Sequence, residues 1–334
     1  MATIRLGSDP LLVECDPDAG FAISAIVDAA TGATALGRRT GFVPAEYRRA
    51  LGPAGDASVE SFIELFAGGW FEMFPTTGYS GTVPGAVGLA LSLLHGEAMR
   101  MPWVVTHRDA LTVEASVDMV RTPFRLTRRL EIVGDELVVT ERAENFGAVV
   151  APYVWGHHPC FDRGTFAGGR FELDAVSAEV PAPVFDPVHN SLVPGAAFSF
   201  PQAPMLGGGL RDVAAIPEAP DGRHEQTTLV LRRGGLRITA PRFGRAFSLD
   251  WDGHEFPYVL VWQDYQADGA AFWGTCDTFA VEPSSAPGRS LDDAVAAGAV
   301  RELAPGGSVS LTMRARWSAI DESSPEGDPT PGWI

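Results

Sequence analysis

Short apolar or alternating segments, separated by glycine, proline and aspartate, follow one another along almost the whole chain, and helical periodicity is nearly absent. Such segments are typical of β-strands joined by turns, because alternate side chains of a strand point to opposite faces of its sheet. The segments predicted as strands are Ile4–Leu6, Leu11–Cys15, Phe21–Val27, Ala33–Leu36, Val87–Leu94, Met101–His107, Leu111–Val117, Phe124–Ile132, Leu137–Glu144, Thr227–Leu231, Leu236–Ala240, Ala246–Trp251, Tyr258–Trp262, Phe279–Glu282 and Val309–Trp317. Without a repeat or a clear linker, this pattern predicts one large, mostly antiparallel β domain over residues 1–334.

The remaining segments are few. One helix is predicted over Leu291–Ala297, because Ser290 can cap its start and Gly298 can end it. Pro181–Asp221 is rich in proline and glycine, and is either a long ordered loop over a binding face or a weakly structured insertion. Asp321–Ile334 reads as a polar tail. A mostly β fold with few short helices is therefore expected.

Composition excludes several classes of function. The formal net charge of −17 argues against nucleic acid and anionic membranes as partners. Every basic residue is arginine, so chemistry that needs a lysine Schiff base is excluded. Three cysteines without metal-ligand spacing, a start unlike a signal peptide and the lack of an 18-residue apolar run predict a cytoplasmic protein with reduced thiols.

The segment Trp155–Phe161 holds two adjacent imidazoles, His157 and His158, at the end of an apolar run. If the segment is extended, only one of the two can face a given pocket. Histidine is suited to proton transfer near neutral pH, although adjacent histidines at a strand end are more often structural than catalytic. A catalytic role therefore depends on partners elsewhere in the chain.

Three further segments could supply those partners. Gly68–Pro75 combines paired glycines with aromatic residues, and Leu94–Glu97 places His95 before a glycine. Ala280–Pro283 ends an apolar strand with Glu282, where burial can raise the pKa of a carboxyl. Singly, each segment is weak evidence for a site.

Together, and in this order, these segments resemble the aldose 1-epimerases, or galactose mutarotases. The resemblance lies in His95-Gly followed by Trp103, in His158-x-x-Phe161 and in Val281-Glu282-Pro283, and it extends from about Phe21 to Trp317. The Gly-Gly-Trp-x-x-x-Phe-Pro form of the early segment is similar to a divergent bacterial branch. The resemblance implies a large antiparallel β-supersandwich with its site on the concave face, which agrees with the strand-rich pattern.

The resemblance also implies a reaction and its residues. Mutarotation removes the proton of the anomeric hydroxyl and protonates the ring oxygen of a small-molecule sugar, without a metal or another cofactor. Glu282 matches the general base of the family and His158 its general acid, with Cys160 standing where an aromatic residue is usual. His95 matches the second histidine, which hydrogen-bonds near the ring oxygen.

Four other residues are predicted to bind the substrate: Trp70, Glu72, Trp155 and His157. Strand alternation would nevertheless direct His157 away from the site unless a bulge intervenes. The family's sugar-binding Arg and Asp have no clear counterpart, since Gly69-Trp70 replaces the Asn-Arg pair. The candidate replacements are Arg100 or Arg125 for the arginine and Asp212 or Asp221 for the aspartate.

Two alternatives remain beside an isomerase. One is a carbohydrate-binding protein without catalysis on the same scaffold. The other is a glycoside hydrolase that pairs Glu282 with Glu72, Asp162 or Asp277, because that chemistry uses two carboxylates. The sequence predicts neither the identity of the sugar nor an oligomeric state.

Overall fold

The computed structural model of the protein describes residues 3–39, 62–63, 66–79, 81, 94–269 and 272–320. The described strands are β1 Ile4–Gly7, β2 Leu11–Asp16, β3 Ala22–Asp28, β4 Trp70–Met73, β5 Val104–Arg108, β6 Thr112–Asp118, β7 Phe124–Val133, β8 Glu136–Asn145, β9 Ala151–Tyr153, β10 Gly156–Asp162, β11 Phe171–Glu172, β12 Ala175–Glu179, β13 Ala197–Phe198, β14 Gln202–Pro204, β15 Leu210–Asp212, β16 His224–Leu231, β17 Gly235–Ala240, β18 Arg245–Trp251, β19 Tyr258–Tyr265, β20 Asp277–Ser284, β21 Arg301–Leu303 and β22 Ser308–Ala319. The mostly antiparallel β prediction is confirmed.

Two large sheets contain most of these strands. The ten-stranded sheet has the order β1-β2-β3-β4-β10-β20-β19-β16-β12-β13, and the eight-stranded sheet has the order β11-β17-β18-β22-β8-β7-β6-β5. The main hydrophobic core draws on the inner faces of both sheets. The central strands of the ten-stranded sheet, β10 and β20, come from the two segments in which His158 and Glu282 were singled out.

Alternation of side chains builds this core. Along β22, Leu311, Met313, Ala315 and Trp317 are buried while the residues between them are exposed. Burying a leucine or methionine side chain contributes roughly 1.5–3 kcal/mol relative to leaving it exposed. On β7 the inward face, otherwise apolar, includes the fully buried Arg128.

Two of the predicted strands, Ala33–Leu36 and Val87–Leu94, are not among the described strands. Ala33–Leu36 forms only isolated bridges, of Thr34 with Val27 and of Leu36 with Phe161, because this segment crosses between strands instead of pairing along one of them. That prediction was wrong. Most of Val87–Leu94, and the polar tail from residue 321, lie outside the described residues.

The long segment Pro181–Asp221 is ordered. It contains β13, β14 and β15, and its apolar residues Leu192, Ala203 and Val213 form a small core with the preceding Val180. The first of the two alternatives, an ordered loop, is therefore confirmed.

The described helices are short. They are α1 Arg163–Phe166, α2 Leu291–Ala296 and two 3-10 turns, Ala98–Arg100 and Pro241–Phe243. As predicted, Ser290 caps α2, since its hydroxyl accepts a hydrogen bond from the Asp293 backbone while the Asp293 carboxylate accepts one from the Ser290 backbone. Gly298, with φ of 63°, follows the helix end. No described helix is long and apolar enough to cross a membrane.

Candidate active site

A cavity of about 510 Å³ lies on the outer face of the ten-stranded sheet. Its floor consists of side chains from β10, β20, β19, β16 and β12. Residues from the surrounding segments form its sides: Phe62, Phe66, Thr77, Tyr79, His95, Pro181, Phe185, Phe272 and Arg289. This volume is within the range of about 300–1,000 Å³ that is usual for small-molecule sites.

His158 and Glu282 meet at the floor of the cavity. Their strands are adjacent and antiparallel, and the Gly156–Ser284 and Cys160–Ala280 pairs on either side place the two residues opposite each other. The Nε2 atom of His158 is 3.3 Å from Oε1 of Glu282. The two residues are only 4% and 3% exposed. The structure thus brings together the two residues that the sequence assigns to catalysis.

Burial favours the uncharged form of both groups. It raises the pKa of the Glu282 carboxyl well above its ordinary value. Burial, with a smaller contribution from nearby His95, lowers the pKa of His158 well below its ordinary value. A neutral carboxyl beside a neutral imidazole carries one exchangeable proton between Oε1 and Nε2, so the pair can give a proton at one atom and take one at the other.

The imidazole of His158 is held on its other side by Cys160, two residues along the same face of β10. The Cys160 sulfur is 3.2 Å from Nδ1 of His158. Burial raises the pKa of this thiol well above its ordinary value, so the sulfur stays uncharged and can accept a weak hydrogen bond from the Nδ1–H group of His158. The Phe71 ring stacks on the imidazole with centroids 4.6 Å apart. The ring plane and the position of Nε2 are therefore fixed by contacts on three sides.

His95 has a backbone geometry that explains the glycine after it. His95 and Gly96 have φ angles of 59° and 75°, and a Cβ at Gly96 would lie 2.2 Å from the carbonyl oxygen of Phe74. Nδ1 of His95 donates to the backbone carbonyl of Thr77, 2.6 Å away. Burial lowers the pKa of His95 to about 4. The neutral ring is therefore left with Nε2 as a hydrogen-bond acceptor, which suits a sugar hydroxyl.

Four residues predicted to bind the substrate do not line the cavity: Trp70, Glu72, Trp155 and His157. They lie in the interior between the two sheets. The pleat of β4 turns Met73 toward the cavity and Phe71 toward His158, and the intervening Glu72 points the opposite way. This placement corrects the expectation of direct sugar contact for these four residues. It confirms that strand alternation directs His157 away from His158.

A buried polar cluster occupies that interior position. Arg128 pairs with Glu141, with Nε 2.8 Å from Oε1, and Glu141 Oε2 is 3.1 Å from Nε2 of His157. Glu72 completes the cluster and accepts a hydrogen bond from the indole of Trp155. Glu72, Glu141 and His157 have ligand atoms within 4.8 Å of one another, a spacing that could hold a metal ion. The Arg128 guanidinium already supplies positive charge there, which opposes a further cation.

We expect Glu72 to make stability depend on pH. Burial, and then the neighbouring Glu141, raise the pKa of Glu72 from its ordinary 4.5 to about 8. As pH rises from 4.5 to 8 the unfolded chain releases this proton while the folded chain keeps it, so stability falls across this window and levels off above it. The slope from one such group is at most about 1.4 kcal/mol per pH unit. Glu72→Gln, which stays neutral, should remove that part of the decline.

Urea unfolding at pH 6.5 to 8.5 measures this effect. Burial lowers the pKa of His157 to about 4, so its opposite contribution lies below pH 6.5 and does not interfere. Glu136→Gln, at a residue whose carboxylate faces solvent between Arg314 and Arg316, is the matched control. Equal slopes for Glu72→Gln and the unmodified protein would contradict the raised pKa.

The candidate replacements for the family's sugar-binding residues lie away from the cavity lining: Arg100, Arg125, Asp212 and Asp221. Arg125 pairs with Asp118 on the eight-stranded sheet, and Asp212 pairs with Arg170.

The position of the early Gly68-Gly69 pair is explained by packing, because a Cβ at Gly68 would lie 2.3 Å from the carbonyl oxygen of Gly37.

The carboxylates that a hydrolase would pair with Glu282 are engaged elsewhere. Asp277 forms two hydrogen bonds with Arg163, and Asp162 caps α1 by accepting a hydrogen bond from Thr165. Glu72 is on the opposite face of the sheet. None of the three lines the cavity.

Several cavity residues were not singled out in the sequence. Phe66 and Phe272 pack with their centroids 5.1 Å apart, and Trp262 contacts both rings. The indole of Trp262 donates to Nε2 of His224, 2.6 Å away. Trp262 lies in the predicted strand Tyr258–Trp262. If the pairing of that strand with the strand of Glu282 had been known, it would have placed Trp262 beside the cavity. No strand or helix pattern pointed to Phe66 or Phe272.

Comparison with known proteins identifies the fold. No protein-family model and no curated protein matches the chain. Solved structures do match: a "Putative aldose 1-epimerase" from Escherichia coli, 17% identical, has a TM-score of 0.67 and covers 96% of this chain and 99% of its own. A galactose mutarotase-like protein from Lactobacillus casei, 15% identical, has a TM-score of 0.65 and covers 95% and 100%. A "putative aldose 1-epimerase" from Klebsiella pneumoniae, 14% identical, has a TM-score of 0.68 and covers 93% and 77%. The predicted galactose mutarotase-like fold is confirmed.

Proposed function

We propose that the protein is an isomerase of the aldose 1-epimerase type, which interconverts the α and β anomers of an aldose. The observation that carries the proposal is the 3.3 Å contact between Nε2 of His158 and Oε1 of Glu282 on the floor of the cavity. The fold shared with proteins described as aldose 1-epimerases supports it. A base and an acid within reach of the same small volume are what mutarotation requires.

The reaction is a coupled transfer of two protons. The Glu282 carboxylate removes the proton of the anomeric hydroxyl, while Nε2 of His158 protonates the ring oxygen and the bond between that oxygen and C1 breaks. Rotation about C1–C2 turns the aldehyde. On reclosure the imidazole takes the proton back from the attacking hydroxyl, and the carboxyl returns its proton to the aldehyde oxygen. Atoms and charges balance with these two groups and the sugar alone.

Burial of the pair suits this cycle. Before ring opening the pair is a carboxylate and an imidazolium, and after ring opening it is a carboxylic acid and a neutral imidazole. Both states hold the same number of protons, and the contact between the two residues lets one convert to the other. Burial favours the neutral carboxyl and the neutral imidazole. These are the protonation states that the two residues need for closing the ring of the open-chain sugar.

His158→Ala is expected to lower the rate of anomer exchange by about 10²–10⁴-fold, the usual contribution of a positioned proton donor. Exchange between α and β signals in NMR, or polarimetry on a freshly dissolved anomer, measures the rate. His107→Ala removes an exposed histidine on β5 and is the matched control. An unchanged rate in His158→Ala would refute the proposed acid, and sugar binding without any acceleration would indicate a binding protein instead.

A further inference from the structure

The cavity floor continues well beyond the catalytic pair. In the pairing of neighbouring strands, Glu282 is opposite Leu260, Leu260 is opposite Thr228, and Thr228 is opposite Glu179. All four side chains line the cavity. Neighbouring strands lie about 4.8 Å apart, so this row spans about 14 Å from Glu282 to Glu179. That length exceeds one pyranose ring with its hydroxyls.

The side chains along this row are of the types that bind sugar rings. Along β19, Tyr258 lies two residues before Leu260 and Trp262 two residues after it, and both present aromatic surface to the cavity. Gln226 is opposite Trp262. Arg289 donates to Oε1 of Gln226 at 3.1 Å, which fixes the amide and leaves its NH₂ group to donate to a ligand.

Further acceptors lie at the far end of the row. The Thr228 hydroxyl donates to the backbone carbonyl of Glu179 at 3.4 Å, so its oxygen remains able to accept a hydrogen bond. The Glu179 carboxylate is an acceptor as well. Donors and acceptors spread along the row favour a polar, hydroxyl-rich occupant over an apolar one, because a buried apolar group would leave them unpaired.

The two ends of the cavity differ. Behind His158, the buried rings of Phe66 and Phe272 pack against each other and close the described part of the wall. At the other end, Glu179 and Val230 are exposed. A substituent on the reacting sugar therefore has room across β19, β16 and β12, where the cavity opens.

We propose that the cavity binds a second sugar ring beside the reacting one, so that the preferred substrate is a reducing disaccharide or the reducing end of a longer oligosaccharide. The reducing ring lies at His158 and Glu282, and the next ring lies over Leu260 and Thr228 between Trp262, Tyr258 and Gln226. This inference rests on the proposed anomer exchange, and it adds the class of aldose.

Anomer exchange of matched sugars tests the second ring. Glucose is compared with maltose and cellobiose, which share its reducing ring, and galactose with galactobiose. We expect at least one disaccharide to exceed its monosaccharide in kcat/KM by about tenfold, mainly through KM, which is the gain from one or two net hydrogen bonds. No disaccharide advantage, or a greater advantage for an O-butyl glucose than for any disaccharide, would overturn the inference while leaving the isomerase intact.

Binding separates this inference from the proposed function. Saturation-transfer NMR on Glu282→Gln compares the affinity for each disaccharide with that for its monosaccharide, independently of turnover. Tighter disaccharide binding without exchange in the unmodified protein would support the second subsite and refute the isomerase. Equal or undetectable binding of all sugars would overturn the subsite.

A substitution that fills the row gives a second test. Thr228→Trp should lower the disaccharide-to-monosaccharide ratio of kcat/KM to about one, because the indole occupies the place of the second ring. Thr312→Trp, at an exposed residue on β22, is the matched control and should leave that ratio unchanged. An equal loss for both sugar classes in Thr228→Trp, with the fold intact by circular dichroism, would contradict the placement.

Discussion

Glu282→Gln is expected to remove nearly all anomer exchange, by about 10⁴-fold, while the protein remains folded. Glutamine matches the shape of the carboxyl but cannot take the proton from the anomeric hydroxyl. Since burial raises the pKa of the Glu282 carboxyl and so favours its neutral form, a neutral amide adds little desolvation cost. The free energy of unfolding should therefore equal or slightly exceed that of the unmodified protein.

The measurement is NMR exchange between anomers, with urea unfolding on the same samples. Glu302→Gln, at an exposed residue of β21, is the control and should retain full activity. Rapid exchange in Glu282→Gln would refute the role of this carboxylate. Loss of activity together with loss of the fold would show that the residue is structural.

Arg128→Met is expected to cause the largest loss of stability, about 3–5 kcal/mol. The guanidinium is fully buried, pairs with Glu141, donates to the backbone carbonyl of Phe21 and lies over the ring of Trp70 at 5.5 Å. Its removal leaves the Glu141 carboxylate in the interior without a positive partner. Urea unfolding measures the change.

Two further variants separate charge from packing. In the double variant Arg128→Met with Glu141→Leu no unpaired charge remains, and most of the stability should return. Arg125→Met removes an exposed arginine on the same strand as Arg128, where it pairs with Asp118 of the neighbouring β6, and it should change stability little. A cost for Arg128→Met no greater than for Arg125→Met would contradict the importance of the buried pair.

The strands were predictable because their signal is local. On β22 the alternation of apolar and polar residues is visible in the sequence, and its burial pattern follows that alternation. The capped helix α2 was predictable for the same reason, since Ser290 and Asp293 are close in sequence. The segment Ala33–Leu36 looked equally strand-like, but its place between β3 and β10 allowed only isolated bridges.

The site residues show where local patterns fail. A strand turns successive side chains to opposite faces, so an error of one residue reverses the environment. In the early aromatic segment Trp70 and Glu72 were predicted at the site, whereas their neighbours Phe71 and Met73 lie on the side of His158 and the cavity. Arg128 was visible as an exception on an apolar face, but its partner Glu141 could be found only from the pairing of β7 with β8.

The sequence by itself determined a mostly antiparallel β chain, because alternation depends only on neighbouring residues. It singled out His95, His158 and Glu282 through the resemblance of the ordered set of segments to the aldose 1-epimerases. It also separated His157 from His158, since the pleat requires adjacent side chains to diverge. Only the tertiary structure decided which face of β10 borders the cavity, and which residues line that cavity beyond His158 and Glu282. The physical reason is that strands far apart in sequence become neighbours through their register, and β10, β20, β19, β16 and β12 meet in an order that no local pattern specifies.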